Sequence, residues 1–170
     1  MTMITTQLYH SPVGDLILGS FNNQLCLCNW RDKKNKAAVE RRLNKHLKGS
    51  YSKSSNSLLH TTAKQLDEYF SGHRTEFKIP IILAGTEFQK QVWHTLKTIP
   101  YGQSISYLDL AKKLGQDSAV RAVANANAAN ALSIIIPCHR IIGSNGKLVG
   151  YAGGLQAKQG LLTLEQTQKN

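Results

Sequence analysis

Cysteine, carboxylates and long apolar runs are all scarce in this chain of 170 residues. The three cysteines, Cys26, Cys28 and Cys138, do not build a disulfide framework, which favours a reducing cytoplasm. The sequence has no apolar run of about 18 residues and no apolar segment after a basic stretch at the N-terminus. We therefore expect neither a membrane span nor secretion. The chain is long enough to bury a core without a metal or disulfide staple.

Against ten carboxylates stand 21 lysines and arginines, which give a formal net charge of +11. A surplus of this kind favours a polyanionic partner, because cations that neutralise phosphates release condensed counterions. Much of the surplus lies in residues 31–53, which we call the basic segment. A solvated helix face and a nucleic-acid contact explain this segment equally well.

The N-terminal half has the pattern of an antiparallel meander followed by two helices. The predicted elements are strands over 4–9, 15–21 and 24–30, helices over 37–47 and 58–70, and a polar linker over 48–57. Residues 71–85 then lose helical periodicity and contain two glycines and a proline. We therefore place a domain boundary near residue 85.

The C-terminal half begins with a helix that has a capping-box pattern, Thr86 with Gln89 three residues later. Two short helices are predicted over 106–114 and 118–127, joined by a turn in which Gly115 suits a left-handed cap. The pair resembles a helix-turn-helix, although an αα-hairpin used only for packing gives the same pattern.

The second helix of this pair is rich in alanine, with Arg121, Asn125 and Asn127 interleaved. Small side chains permit close approach to another surface, either a neighbouring helix or a DNA backbone. The single Arg121 on an otherwise neutral face favours DNA.

The segment around Cys138 carries the strongest chemical signal. Residues 132–136 predict a short buried strand that leads into Pro137-Cys138-His139-Arg140. A cysteine among isoleucines is most often an inert apolar residue. Here a histidine and an arginine follow at once, and a base and a positive charge are what lower the pKa of a nucleophilic thiol.

A histidine that acts as a base is usually oriented by a third group, commonly a carboxylate. After Asp117 the chain offers only Glu165, at the end of a predicted helix over 155–164. Glu165 either packs against His139 or lies at a solvated helix end, and the spacing alone does not decide between these alternatives. The glycine-rich residues 149–154 predict either a loop that lines a pocket with N–H groups, with Tyr151 as a flat wall, or a plain connection.

Three spaced motifs together carry a resemblance to a known family. They are Arg121-Ala122-Val123, Pro137-Cys138-His139-Arg140 and Tyr151-Ala152-Gly153-Gly154. The chain resembles the methylated-DNA–protein-cysteine methyltransferases, in particular the bacterial O6-alkylguanine-DNA alkyltransferases of the Ogt type, closely over 86–165 and loosely before. The resemblance implies an α/β (α+β) fold, with a ribonuclease H-like α/β domain and linker over 1–85. It implies a mainly helical domain over 86–170 that holds the helix-turn-helix and the active-site cysteine.

The resemblance also implies direct-reversal DNA repair. Cys138 would accept, irreversibly and once, the alkyl group of O6-alkylguanine in double-stranded DNA after the base flips out of the stack. O4-alkylthymine is left open as a second substrate. The family's helix-turn-helix enters the minor groove, and an alanine-rich helix suits that narrow groove. A monomer without a cofactor is implied.

Further roles are carried over from the family residue by residue. His139 would be the base, acting through a bridging water, with Glu165 orienting it and Asn130 as the hinge beside the active-site strand. The DNA contacts would be Arg121, as the finger that fills the vacated place, Ala122, Asn125, Arg140 and Tyr151. The base pocket would be Tyr107, which donates a hydrogen bond to the base, Ile141, Tyr151, Ala152 and Gly153.

The chain departs from some family members at two places. Ala152 stands where some members have serine, so only its backbone N–H remains as a donor. Cys26 and Cys28 do not fit the structural zinc site of other members, so no metal is expected. Three rival functions are an acyl hydrolase with a Cys-His-Glu triad, a lesion sensor, against which Cys138 argues, and a plain transcription factor.

Overall fold

A computed structural model describes residues 2–32 and 34–168, and the chain divides into two compact units, 1–85 and 86–170. Lys33 of the basic segment lies outside the described residues. Within those residues, no helix combines the length and the apolar character that crossing a bilayer requires. The mixed α/β architecture, with a sheet in the first unit and mainly helices in the second, confirms the predicted fold class.

The first unit is a four-stranded sheet with two helices. Its elements are β1 (Met3–Ser11), β2 (Gly14–Phe21), β3 (Gln24–Trp30), α1 (Lys36–Leu47), β4 (Ser50–Lys53) and α2 (Ser57–Phe70). The strand order is β3-β2-β1-β4, and β1, β2 and β3 pair antiparallel as the predicted meander requires. Asn22 and Asn23 both have positive φ, 50° and 59°, the conformation that a two-residue hairpin turn favours.

The predicted linker over 48–57 was wrong in one respect, because it contains the strand β4. This strand pairs parallel to β1, with Met3 opposite Ser50 and Thr6 opposite Lys53. A short edge strand with exposed side chains needs little apolar sequence, since the backbone of β1 supplies its hydrogen bonds. The polar composition therefore concealed it.

The second unit is built from helices around a two-stranded parallel pair. Its elements are α3 (Glu87–Leu96), β5 (Ile105–Ser106), α4 (Tyr107–Lys113), α5 (Val120–Ala128), β6 (Ile141–Ile142) and α6 (Leu155–Thr167), with 3₁₀ turns at Asp117–Ala119 and Cys138–Arg140. The capping box predicted for α3 is confirmed, since Thr86 accepts from the Gln89 N–H and Gln89 accepts from the Thr86 N–H. The buried Trp93 of α3 donates its indole N–H to the Ala126 carbonyl, 2.9 Å away, and so fixes α5.

The helices α4 and α5 are the pair predicted as a helix-turn-helix. Ser106 and Asp109 form a second capping box at the start of α4, and Gly115 after its end has φ +68°, as predicted for a left-handed cap. On α5, Val123 and Ala126 are buried. Arg121 lies on the opposite, exposed face.

The strand predicted over 132–136 was wrong. These buried residues form a compact turn in which the Ile136 N–H donates to Leu132 O at 2.8 Å and Ser133 and Ile136 form an isolated bridge. Ile134 has φ +72°, a strained conformation for a β-branched residue, and its side chain is buried. Burial produced the apolar pattern, and none of the strands found in the described residues includes 132–136.

Candidate active site

Cys138 begins the 3₁₀ turn Cys138–Arg140, directly after the strained turn around Ile134. Its N–H donates to Ile136 O at 2.8 Å, and its side chain is 5% exposed. The thiol is therefore almost completely shielded from solvent.

Asn130 holds the turn that precedes Cys138. Its Nδ2 donates to Ile136 O at 2.9 Å, and its Oδ1 accepts from the Leu132 N–H at 3.0 Å. Burial raises the pKa of the Cys138 thiol, and Asn130 makes the largest of the contributions that oppose this increase. Asn130 follows α5 in the chain, so it ties the exposed helix to the segment of the cysteine.

His139 and Glu165 form a buried pair, with Nε2 and Oε2 2.7 Å apart. Burial lowers the pKa of His139, and the hydrogen bond with Glu165 opposes this without cancelling it. The ring is therefore neutral at neutral pH, and an ionised carboxylate can only accept, so Nε2 carries the proton. The Nδ1 atom, buried and without a protein partner among the described residues, is left with its lone pair.

Glu165 is held ionised in the protein interior. Burial raises the pKa of Glu165, but hydrogen bonds from His139 and Arg140 outweigh it and leave the pKa well below its usual range. The Gly102 N–H adds a third donor at 3.3 Å. The sequence left a solvated helix end open for Glu165, and its 1% exposure excludes that alternative.

Arg140 does not have the role expected for it at the DNA surface. Its side chain is buried, its Nε and Nη2 donate to the two oxygens of Glu165 at 2.8 Å and 3.0 Å, and its Nη1 donates to Ile99 O at 2.6 Å. All three nitrogens are used inside the protein, and the guanidinium lies 5.7 Å from the ring centre of Tyr101. The prediction of a DNA contact therefore needs correction. The motif around Arg140 does not reveal its carboxylate partner, which lies 25 residues away in the sequence.

Lys158 is a buried lysine that the sequence reasoning missed. Its side chain is 0% exposed, and its Nζ donates to the carbonyls of Val149 and Gly150 at 3.2 Å and 3.3 Å. Its charge lowers the pKa of Cys138. Lys158 and Glu165 are seven residues apart on the buried stripe of α6, where periodicity calls for apolar residues. The presence of two ionisable residues on this stripe was the feature from which a buried charged site could have been predicted.

Tyr107 and the glycine-rich loop meet at one carbonyl. Tyr107 Oη donates to Val149 O at 3.1 Å, and this oxygen also accepts from Lys158. Gly150 and Gly154 have φ +52° and +86°, which explains the glycines of this loop. Burial raises the pKa of Tyr107, and a Cys138 thiolate raises it further, so the hydroxyl stays a donor at neutral pH.

The remaining residues of the predicted pocket and DNA face are distributed as follows. Tyr151, Ala152 and Gly153 are partly buried in the loop, and Ile141 is fully buried on β6, opposite Ile105 of β5. The exposed stripe on α5 has one large side chain and consists of Arg121, Ala122, Asn125 and Ala128.

The thiol of Cys138 is protonated at rest. Burial raises its pKa, and Asn130, Lys158 and Ser133 oppose this only in part. A resting thiol is a poor nucleophile, so reaction requires removal of its proton. His139, the next residue in the sequence, is neutral, and its Nδ1 has a lone pair that can accept this proton.

Two domain descriptions of one family together match nearly the whole chain. Residues 4–83 match "6-O-methylguanine DNA methyltransferase, ribonuclease-like domain", and residues 87–167 match "6-O-methylguanine DNA methyltransferase, DNA binding domain". These are the two units of the structure, taken separately.

Individual relatives agree with this match. The methylated-DNA–protein-cysteine methyltransferase of Methanosarcina acetivorans is 40% identical over 158 residues, which cover 93% of this chain and 96% of the relative. That of Mycobacterium leprae is 54% identical over 104 residues, but this stretch spans only 61% of this chain and 63% of the relative. The crystal structure of Mycobacterium tuberculosis OGT in complex with DNA has a TM-score of 0.81 at 36% identity and covers 98% of this chain and 94% of its own. These matches confirm the resemblance seen in the motifs, and the chain belongs to the 6-O-methylguanine DNA methyltransferase family.

Proposed function

We propose that this chain repairs DNA by moving the alkyl group of O6-alkylguanine onto Sγ of Cys138, where it stays. The observation that carries the proposal is the buried series Cys138, His139 and Glu165 within the segment matched to the family's DNA-binding domain. Unit 86–170 performs both DNA binding and transfer, and unit 1–85 is the ribonuclease H-like domain. The protein acts as a monomer in the cytoplasm, where its three free cysteines stay reduced.

The thiol is activated by His139. With Nε2 protonated and bound to Glu165, Nδ1 accepts the proton of Cys138 through a bridging water. The imidazolium that forms is stabilised by the carboxylate at 2.7 Å. Arg140 keeps that carboxylate ionised and fixed. Arg140 therefore acts on the thiol only through Glu165 and His139.

The transfer itself is a substitution at the alkyl carbon. The bond from sulfur to carbon forms with the thiolate electron pair, the bond from carbon to O6 breaks, and its electron pair goes to the guanine. Tyr107, a protonated donor beside the loop, stabilises the charge that builds on the base. The proposed pocket places the base against Tyr151 and Ile141, with the N–H groups of Ala152 and Gly153 nearby. A thioether is not readily hydrolysed, so each molecule reacts once.

Double-stranded DNA that contains the lesion binds at the exposed stripe of α5. Ala122 and Asn125 are small enough for the minor groove, and Arg121 is the residue long enough to fill the place of the flipped base. The DNA complex of the M. tuberculosis relative supports DNA as the partner. Arg140 is not included in this surface because it is buried.

Intact-mass spectrometry after mixing with O6-methylguanine duplex DNA tests the proposal. We expect the protein to gain the mass of one methyl group and to keep it, with the modified peptide containing Cys138. Cys138→Ala should gain nothing and still bind DNA, whereas Cys26→Ala and Cys28→Ala should react normally. Return to the starting mass would indicate a hydrolase, and methylation of Cys26 or Cys28 would refute the assignment.

A further inference from the structure

The first unit contains a pocket that the proposed repair reaction does not use. It has a volume of about 420 Å³, within the range of small-molecule sites. Its floor is one face of the sheet, where Ile17 of β2 lies opposite Asn29 of β3. Val39 of α1 and Tyr51 of β4 form two of its walls.

The lining has the character of a site for a flat ring. Ile17, Leu27 and Val39 provide apolar surface, and Tyr51 at the rim is 38% exposed, so its ring is available for stacking. Burial raises the pKa of Tyr51 to about 12, and Glu40 contributes, so its hydroxyl does not add a negative charge.

Asn29 is an unsatisfied polar group in this lining. It is 3% exposed, and its Nδ2 donates to Asn35 Oδ1 at 3.4 Å. Its Oδ1 has no partner within the part of the chain that the structure describes. Because this oxygen has almost no accessible surface, Asn29 makes the floor polar from below and is not itself an open acceptor for a ligand.

The pocket carries more positive than negative charge, although Glu40 also lines it. Lys36 of α1 and Lys53 of β4 line the pocket, and both are exposed. The rest of the basic segment continues this charge along the surface, with exposed side chains at Lys34, Arg41, Lys45 and Lys48. None of these six cations forms an ion pair with another described residue. Stacking rings set within a basic groove are the features of sites for single-stranded nucleic acid.

We infer that this pocket binds a nucleotide, with the base between Tyr51 and the apolar floor and the phosphate at Lys36 and Lys53. The occupant is either a free nucleotide or one unit of a single strand that follows the basic segment. This site is separate from the proposed alkyl transfer, so either proposal can fail without the other.

The first experiment measures binding of a short fluorescent oligodeoxyadenylate to the full chain by anisotropy at low salt. Lys36→Glu and Lys53→Glu should each weaken binding about tenfold, since each reverses one of the two cations at the phosphate. Lys64→Glu on α2 is the matched control, because it is an exposed lysine of the same unit that does not line the pocket. We expect less than about a twofold change there.

Tyr51→Ala should weaken binding about tenfold through loss of stacking, and Tyr51→Phe should restore it. The far-UV circular dichroism spectrum and the thermal unfolding midpoint should be unchanged in every variant, and they report that the protein is folded whether or not it transfers alkyl groups. Equal losses in Lys53→Glu and Lys64→Glu, or no loss in Tyr51→Ala, would overturn the proposal.

The second experiment locates the ligand by NMR. The chain has two tryptophans, Trp30 at the pocket and Trp93 in the other unit, bound to Ala126 O. Deoxyadenosine monophosphate or the oligonucleotide should shift the Trp30 indole N–H and the Asn29 amide but not the Trp93 indole. Shifts with the monophosphate show that the site takes a free nucleotide, and shifts with the oligonucleotide alone show that it takes one unit of a single strand. The absence of shifts at Trp30 and Asn29 with either probe at millimolar concentration would refute the site.

Discussion

Arg140 and Glu165 form a buried bidentate ion pair, with nitrogen to oxygen distances of 2.8 Å and 3.0 Å. Arginine stays charged at any ordinary pH, and its planar fork matches a carboxylate. It therefore fixes both the charge and the orientation of the group that holds His139. The positive charge next to Cys138 in the sequence is therefore used inside the protein, at the carboxylate that contacts His139.

The first prediction concerns the stability of this pair. Arg140→Gln leaves Glu165 buried beside a neutral partner, and breaking one side of such a pair costs about 3–5 kcal/mol. Urea unfolding should show this loss in the free energy of unfolding. The double variant Arg140→Gln, Glu165→Gln should recover a large part of it. A single-variant cost below about 1 kcal/mol would mean that water solvates the pair.

Acid should destabilise the protein through Glu165. Its pKa in the folded state is below the unfolded value of about 4.3, so the unfolded chain binds more protons as the pH falls. The contribution is complete above that unfolded value and is lost as the pH falls toward the folded pKa. Unfolding measured between about pH 5 and pH 3 should show a steeper decline for the wild type than for Glu165→Gln. Parallel declines would contradict this linkage.

Glu165→Gln should also shift the reactivity of Cys138 to higher pH. A neutral amide weakens the basicity of His139, so the thiol keeps its proton to higher pH and reaction at neutral pH slows about a hundredfold. The rate of alkylation by O6-benzylguanine against pH is the measurement. Glu87→Gln, the same change at an exposed residue of α3, is the control and should leave the profile unchanged. An unshifted profile for Glu165→Gln would show that His139 is not the base.

Lys158→Gln removes the buried cation that favours the thiolate. The pKa of Cys138 should rise, and alkylation at neutral pH should slow about tenfold, which corresponds to one pKa unit. Lys147→Gln carries the same charge change at an exposed position of the preceding loop. If both variants lose the same rate, the effect comes from net charge and not from the position of Lys158.

The sequence predicts most of this molecule where local rules decide the structure. The capping box at Thr86, the hairpin at Asn22-Asn23 and the left-handed Gly115 each depend on a few adjacent residues, and all are confirmed. The strand expected over 132–136 was wrong because burial alone gives the same apolar pattern as a strand. There the side chain of Asn130 and a strained Ile134 impose a turn instead.

Prediction of the site residues from the sequence is limited in the same way, because some of their contacts are not local. Cys138 and His139 are adjacent in the sequence, so their motif alone predicts that both belong to the site. Arg140 contacts Ile99 and Glu165, which lie 41 and 25 residues away, and the composition around Arg140 does not reveal these contacts. Lys158 contacts carbonyls only eight and nine residues earlier, and its position on the buried stripe of α6 was the signal that was missed. The edge strand β4 was missed for a related reason, since its partner is β1, more than forty residues earlier.

The last prediction concerns Arg121, which is proposed to hold the flipped state and to take no part in the chemistry. Arg121→Ala should slow reaction with alkylated duplex DNA by the share of the flipping cost that it offsets. A loss of about 2 kcal/mol, roughly thirtyfold, is reasonable. Single-turnover rates at saturating DNA measure it. Lys112→Ala on α4 removes the same charge from an exposed position and should change the rate little.

Two further substrates separate the finger role of Arg121 from a general weakening of the protein. O6-benzylguanine as a free base needs no flipping, so its reaction with Cys138 should be unaffected by Arg121→Ala. A lesion opposite a mismatch flips at lower cost and should show a smaller defect than a well-paired lesion. Equal losses on free base and duplex would mean that Arg121 supports the pocket or the fold. The finger assignment would then be dropped, while transfer to Cys138 would stand.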